Sequence, residues 1–82
     1  MKAILSETPL LVGRRVLITS EVRYIEIQLT NTPDAVTLET DGWHRVGVNA
    51  TNDSHIDSNQ NYIWVRKHED YQGEITYTIL EP

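Results

Sequence analysis

The sequence of 82 residues contains no cysteine and no phenylalanine. Without cysteine, the chain has neither a disulfide nor a thiolate zinc site to support its fold. A chain of this length forms one domain that buries a modest fraction of its surface, so its margin of stability is small. We therefore expect a reducing compartment, or an assembly in which neighbouring subunits add stability.

Long apolar runs are also missing. The apolar start of the chain ends at Leu5 and is followed by Ser6–Pro9, which makes it shorter than the apolar region of a signal peptide. No later stretch is long enough to span a bilayer. The sequence therefore predicts a protein that is made in the cytoplasm, is not secreted by a signal peptide and has no membrane partner.

Basic residues are scarce. Seven lysines and arginines stand against 12 acids, which gives a formal net charge of −5. The basic pairs are Arg14–Arg15 and Arg66–Lys67. Because phosphate neutralisation supplies most of the affinity for nucleic acid, we expect no direct nucleic-acid binding.

The motifs of common catalytic and cofactor sites are absent from the sequence. The four glycines are isolated, so they form no phosphate-binding loop. There is no Gly-x-Ser-x-Gly sequence and no cysteine nucleophile. The sequence therefore predicts a protein that is not an enzyme, with no catalytic residues and no cofactor.

One polar stretch, Asn49–Gln60, has an alternation typical of cation ligands. Its candidate side chains are Asp53, His55, Asp57 and Asn59. A calcium loop of this pattern needs a glycine where Ser58 stands and an acid where Trp64 stands. We interpret the stretch as a solvated loop without a metal.

β-branched residues recur along the chain and alternate with polar ones, which favours strands. The predicted strands are Arg14–Thr19, Val22–Thr30, Asp34–Glu39, Trp43–Val48, Asn61–His68 and Glu74–Leu80. Six strands indicate a single all-β domain over residues 1–82, a small antiparallel sandwich or flattened barrel. Residues 1–12 are predicted to be an extended arm outside the sandwich of 13–82, because Pro9 interrupts them.

The dipeptide Asp41-Gly42 predicts a hairpin turn. A two-residue loop would place the apolar residues of the two flanking strands on opposite faces. A three-residue loop pairs Val36 with Val46 and puts the apolar residues on one face. We therefore expect the three-residue loop.

The two longest predicted strands are apolar on both faces. In Asn61–His68, Ile63 and Val65 alternate with Tyr62 and Trp64. A strand with one face in water would alternate apolar and polar residues instead. The second face must be covered by the N-terminal arm, by the other sheet or by a neighbouring subunit.

Aromatic residues, arginine and the apolar arm supply the candidate interface. Tryptophan, tyrosine and arginine are enriched where proteins bind one another. The predicted interface residues are Leu10, Leu11, Val12, Tyr24, Trp43, Tyr62, Trp64 and Arg66.

Four segments together resemble the small β-rich accessory proteins of tailed-phage virions. They are Tyr24–Thr32, Asp41-Gly42-Trp43, Tyr62–Arg66 and Gly73–Thr78. The resemblance lies in strand order and composition. It implies a capsid decoration or cement protein, or a small tail or fibre module, often trimeric and often held by an N-terminal arm.

The sequence therefore predicts a non-enzymatic virion protein that attaches to a protein lattice such as a capsid. Attachment would use the N-terminal arm and an apolar β face, and the chain would also bind copies of itself, a trimer being favoured. Two other classes stay open. One is a carbohydrate-binding module that uses Trp43, Tyr62 and Tyr71, and the other is an acidic inhibitor of a host nucleic-acid enzyme.

Overall fold

A computed structural model describes residues 3–34, 38, 40–48, 53–58 and 60–82. These residues form strands and no helix, so the described part of the chain contains no helix that is able to cross a membrane. The strands are β1 Ala3–Ile4, β2 Leu10–Gly13, β3 Arg15–Ser20, β4 Tyr24–Thr30, β5 His44–Gly47, β6 Ser54–Asp57, β7 Tyr62–Arg66 and β8 Ile75–Glu81.

The strands form two four-stranded antiparallel sheets. The first sheet has the order β1-β8-β3-β6 and the second has the order β2-β7-β4-β5. Their inner faces meet in one apolar core, which makes the fold a sandwich. The prediction of an all-β sandwich is confirmed, whereas the predicted number of six strands is wrong within the described residues.

The core follows the two-residue period of the strands. In β3, Val16, Ile18 and Ser20 are buried and the residues between them are not. The fully buried core residues of the two sheets are Val12, Val16, Ile18, Ile25, Ile63, Val65 and Ile75. Leu5, which follows β1 and precedes β2 in the chain, is also buried.

The prediction of a separate N-terminal arm is wrong. β1 pairs with β8 in the first sheet, and β2 pairs with β7 in the second. Ser6–Pro9 carries the chain from one sheet to the other. Pro9 lies just before β2, where its missing N–H removes no ladder hydrogen bond. Strands β1 and β2 of the predicted arm therefore belong to the sandwich itself.

The polar stretch that was interpreted as a loop contains strand β6. Ser54–Asp57 pairs with β3, and His55 and Asp57 are exposed while Ile56 is half-buried. Within the described residues β6 lies at the end of its sheet. A short strand at such a position tolerates polar and charged side chains. Because of these side chains, the sequence of β6 lacks the apolar alternation that predicts a strand.

The predicted hairpin is described only in part. β5 pairs with β4, and Ile25 lies opposite Val46. Residues 35–37 and 39 of the predicted partner strand, including Val36, lie outside the described residues. The choice between the two loop lengths therefore stays a prediction.

The second apolar face of β7 is covered within the chain. Ile63 and Val65 face the core, and Trp64, on the opposite side of the strand, is only 6% exposed. In β4 the burial changes sides along the strand, because Gln28 and Thr30 are buried while Leu29 is 46% exposed. Trp64 therefore needs no neighbouring subunit for its burial.

Candidate binding surfaces

The outer face of the second sheet carries most of the aromatic residues. Side chains that lie directly opposite each other in an antiparallel pair point to the same side of the sheet. We call this surface the ring face and define it by the following residues: Leu11, Tyr24, Glu26, Gln28, Thr30, Trp43, Arg45, Gly47, Tyr62, Trp64, Arg66, and the flanking Arg14 and Tyr71.

Arginine side chains lie over the rings of this face. The guanidinium carbon of Arg66 is 4.3 Å from the ring centroid of Trp43. That of Arg14 is 5.1 Å from the centroid of Tyr62, and its Nη2 donates a hydrogen bond of 3.2 Å to the tyrosine hydroxyl. Such cation–π contacts hold the arginine side chains in place and cover part of each ring.

Arg45 has two rings beside it. Its guanidinium carbon is 5.4 Å from the ring centroid of Tyr24 and 5.9 Å from that of Tyr71. The hydroxyl of Tyr71 is buried and has no hydrogen-bond partner in the described part of the chain. A buried hydroxyl in this state costs about 1–3 kcal/mol unless water or a ligand satisfies it.

Charged residues form a row across three strands of the ring face. Glu26 on β4 lies opposite Arg66 on β7 and opposite Arg45 on β5. Its carboxylate accepts a hydrogen bond of 2.9 Å from Nε of Arg66, and the two side chains are 15% and 30% exposed. Glu26 thus neutralises Arg66, while Arg45 forms no ion pair with any described residue.

The charge of the ring face differs from that of the whole chain. Its described residues include three arginines and one acid, Glu26. The rest of the sequence therefore has eleven acids against four basic residues. An acidic protein thus has one face with an excess of arginines, although Glu7 and Glu69 line the cleft beside Glu26 and Arg66.

Trp64 and Thr30 form the buried polar contact of the ring face. The indole Nε1 of Trp64 donates a hydrogen bond of 3.0 Å to the hydroxyl of Thr30. Both residues are buried, so this indole N–H has no access to bulk water.

Replacing Thr30 with valine is expected to destabilise the domain by about 1–3 kcal/mol, because the buried indole N–H of Trp64 loses its acceptor and the carbonyl of Thr32 loses the hydroxyl that donates to it. Thr30→Ser keeps the hydroxyl and is the matched control, with a smaller expected loss. Urea denaturation of the three proteins measures the difference. Equal losses in both variants would show that these hydrogen bonds contribute nothing.

The structure divides the predicted interface residues. Tyr24, Trp43, Tyr62, Arg66 and Leu11 come together on or beside the ring face.

The other three predicted interface residues belong to the interior. Val12 is fully buried in the core, and Leu10 packs against the core from the inner face of the second sheet. Trp64 lies on the ring face but is buried there. A partner has no access to Val12 and little to Trp64, so these two are corrected to core residues.

Part of the outer face of the first sheet, on β1, β8 and β3, forms a second surface of uncharged side chains, whereas the same face carries charged residues where β3 pairs with β6, as in the Arg15–Asp57 ion pair. We call the uncharged surface the threonine strip and define it by Ile4, Leu17, Thr19, Thr76 and Thr78, which cross-strand pairing places on one side of the sheet. Ile4 is 68% exposed.

Ile4 lies in the N-terminal segment that was predicted to attach to a partner, whereas the other four strip residues were not predicted as interface residues. The threonine strip was indicated in the sequence by the alternation within β8, where Ile75 and Tyr77 point inward and Thr76 and Thr78 point outward.

Two of the four candidate cation ligands, Asp53 and Asp57, have protein partners, and Asn59 lies outside the described residues. Asp57 forms an exposed ion pair of 3.1 Å with Nε of Arg15, and Asp53 accepts a hydrogen bond from the hydroxyl of Thr19. Among the described residues, no three acidic or histidine side chains gather in a way that would hold a metal ion.

Comparison with known proteins gives no relative for this chain: it matches no protein-family model, no curated protein and no solved structure.

Proposed function

We propose that the chain is a non-enzymatic binding protein that attaches to a larger protein assembly through the threonine strip. The observation that carries the proposal is the 68% exposure of Ile4 on β1, at the end of the sheet where its neighbours on the outer face, Thr76 on β8 and Thr19 on β3, are uncharged. The centres of protein interfaces are depleted in charged residues, and exposed apolar groups mark binding surfaces. An exposed apolar side chain beside uncharged threonines fits a protein partner.

The N-terminal segment takes part in this surface in a way that differs from a free arm. Ile4 belongs to β1, which is held by two residue pairs with β8, and the next residue, Leu5, is anchored in the core. The apolar side chain offered to the partner is therefore fixed on a folded sheet. Attachment loses less conformational entropy than the ordering of a flexible arm would cost.

The assembly we propose is a virion lattice, such as a capsid or tail. The support is the resemblance of Tyr24–Thr32, Asp41-Gly42-Trp43, Tyr62–Arg66 and Gly73–Thr78 to small phage accessory proteins. We propose that copies of the chain also associate with one another on this lattice, as a trimer. A small domain without disulfides gains stability from such neighbours.

Neither a module for neutral sugars nor an acidic inhibitor of a nucleic-acid enzyme gains a specific observation. The rings of Trp43 and Tyr62 are partly covered by Arg66 and Arg14, which reduces the ring surface that a neutral sugar would stack on. The acids outside the ring face are spread over several strands and turns, whereas a mimic of nucleic acid needs them in an array.

The proposal is tested by sedimenting large particles from the cells that make the protein. The chain is expected to sediment with large particles from the cells that make it, and Ile4→Glu is expected to lower the bound fraction roughly tenfold, because it places a charge in an uncharged contact. Thr32→Glu adds the same charge at an exposed turn outside the strip and is the control. A chain that never sediments with particles, or an Ile4→Glu variant that binds like the control, contradicts the proposal.

A further inference from the structure

Arg45 is the least satisfied cation of the ring face. It is exposed, lies over the rings of Tyr24 and Tyr71, and has no carboxylate partner within the described residues. A guanidinium held by rings is preorganised, so less side-chain entropy is lost when it binds a planar anion through two parallel hydrogen bonds. This geometry is suited to a carboxylate.

Groups that bind hydroxyls lie next to Arg45. Glu26 is its neighbour across one strand pair, and the Glu26–Arg66 ion pair offers both an acceptor and donors. The pair lines an open cleft of about 240 Å³ together with Glu7, Lys67, His68 and Glu69. A ligand bound here would therefore contact the anion-binding guanidinium of Arg45 on one side. On the other side it would contact the hydrogen-bond donors and acceptors of the Glu26–Arg66 pair.

The surface between these groups is open. Gly47 lies opposite Tyr24, and the nearest atom to a side-chain carbon at that glycine would be the tyrosine Cε1, 4.0 Å away. Tyr24 is 43% exposed, and the guanidinium of Arg45 lies over its ring. A ligand is thus able to lie across β4 and β5 beside Tyr24 and in contact with that guanidinium.

We propose that the ring face binds an acidic saccharide, with its carboxylate on Arg45 and its hydroxyls on Glu26 and Arg66. A purely anionic ligand, such as an acidic peptide segment, meets repulsion from Glu26 and from the acids of the cleft. A neutral sugar accepts hydrogen bonds from Arg45 but leaves its charge without a counter-ion. A sugar that carries both a carboxylate and hydroxyls gives each of these groups a partner.

This site is independent of the proposed function. The ring face and the threonine strip are the outer faces of different sheets, and the outer faces of a sandwich point in opposite directions. A failure of saccharide binding therefore leaves attachment to a protein assembly untouched, and the reverse also holds.

The test is a titration of the full chain, followed by the backbone amide signals in NMR. The probes are an oligogalacturonate and a sialic-acid-terminated oligosaccharide, with a neutral glucose oligosaccharide and polyglutamate for comparison. We expect saturable shifts in β4 and β5 with an acidic saccharide. Arg45→Gln is expected to weaken this binding roughly tenfold or more, since it removes a charge-assisted pair.

Arg15→Gln is the matched control, because Arg15 is an exposed arginine on the other sheet and its removal changes the net charge equally. It is expected to bind like the unchanged protein. Arg45→Lys keeps the charge but loses the planar fork, and it is expected to bind weakly. Saturation by neither acidic saccharide, equal loss in both glutamine variants, or tighter binding of the neutral sugar or of polyglutamate would overturn the proposal.

Discussion

Ile63→Ala is expected to destabilise the domain by about 2–5 kcal/mol, because it removes buried methyl groups and leaves a cavity at the centre of the core. Ile63 is fully buried on β7, which lies between β2 and β4 in the second sheet. Small domains have a total stability of only about 5–15 kcal/mol. The variant is therefore expected to lose a large part of its stability, measured by urea denaturation and tryptophan fluorescence.

Leu29→Ala provides the matched comparison. Leu29 lies directly opposite Ile63 in the pairing of β4 with β7, but it is 46% exposed. The same kind of truncation there removes fewer buried contacts, so we expect a loss below about 1.5 kcal/mol. If both substitutions cost the same, the core is not placed between the sheets as described.

Gly13→Ala is the second substitution with a large expected effect. Gly13 has a φ of 91°, and a Cβ at this position would lie 2.5 Å from the backbone of Pro82. The left-handed backbone alone costs about 1–2 kcal/mol for a residue with a side chain. The close approach adds to this, since the end of β8, where Glu81 accepts a hydrogen bond from the N–H of Arg14, must move. We expect a total loss of roughly 2 kcal/mol or more.

Gly47→Ala is the control for that substitution. Gly47 lies within β5, has no positive φ, and has open space for a methyl group. Alanine at such a position reduces the entropy of the unfolded chain and is expected to leave stability unchanged or to raise it by about 0.4–1 kcal/mol. A thermal unfolding series in which Gly13→Ala is as stable as Gly47→Ala would refute the tight contact between β2 and the end of β8.

The fold class followed from the sequence because strand formation leaves a local signal. Alternating β-branched residues predicted strands that correspond to β3, β4, β7 and β8 to within a few residues at each end. Short strands leave a weaker signal. β1 has two residues and β6 is polar, so both were missed, and Pro9 was interpreted as an interruption although it merely precedes β2.

The candidate surfaces were predicted less well than the strands. The sequence pointed to Tyr24, Trp43, Tyr62 and Arg66, and the structure places them on or beside one face. The position of Arg45 between two rings was not predicted, because Tyr24 lies on another strand and Tyr71 lies in a distant loop. Contacts between residues far apart in sequence have no local periodicity to reveal them.

By itself, the sequence determined the class of the fold, the central strands and the lack of familiar catalytic motifs. These depend on composition and on a two-residue period, which are local properties. Only the tertiary structure decided which sheet each strand joins and which side of a strand is buried. Gln28 and Thr30 are buried while Leu29 is partly exposed, because Trp64 of the neighbouring strand packs over that side and bonds to Thr30. Pairing between distant segments, rather than the hydrophobicity of each residue, therefore set the surfaces of this protein.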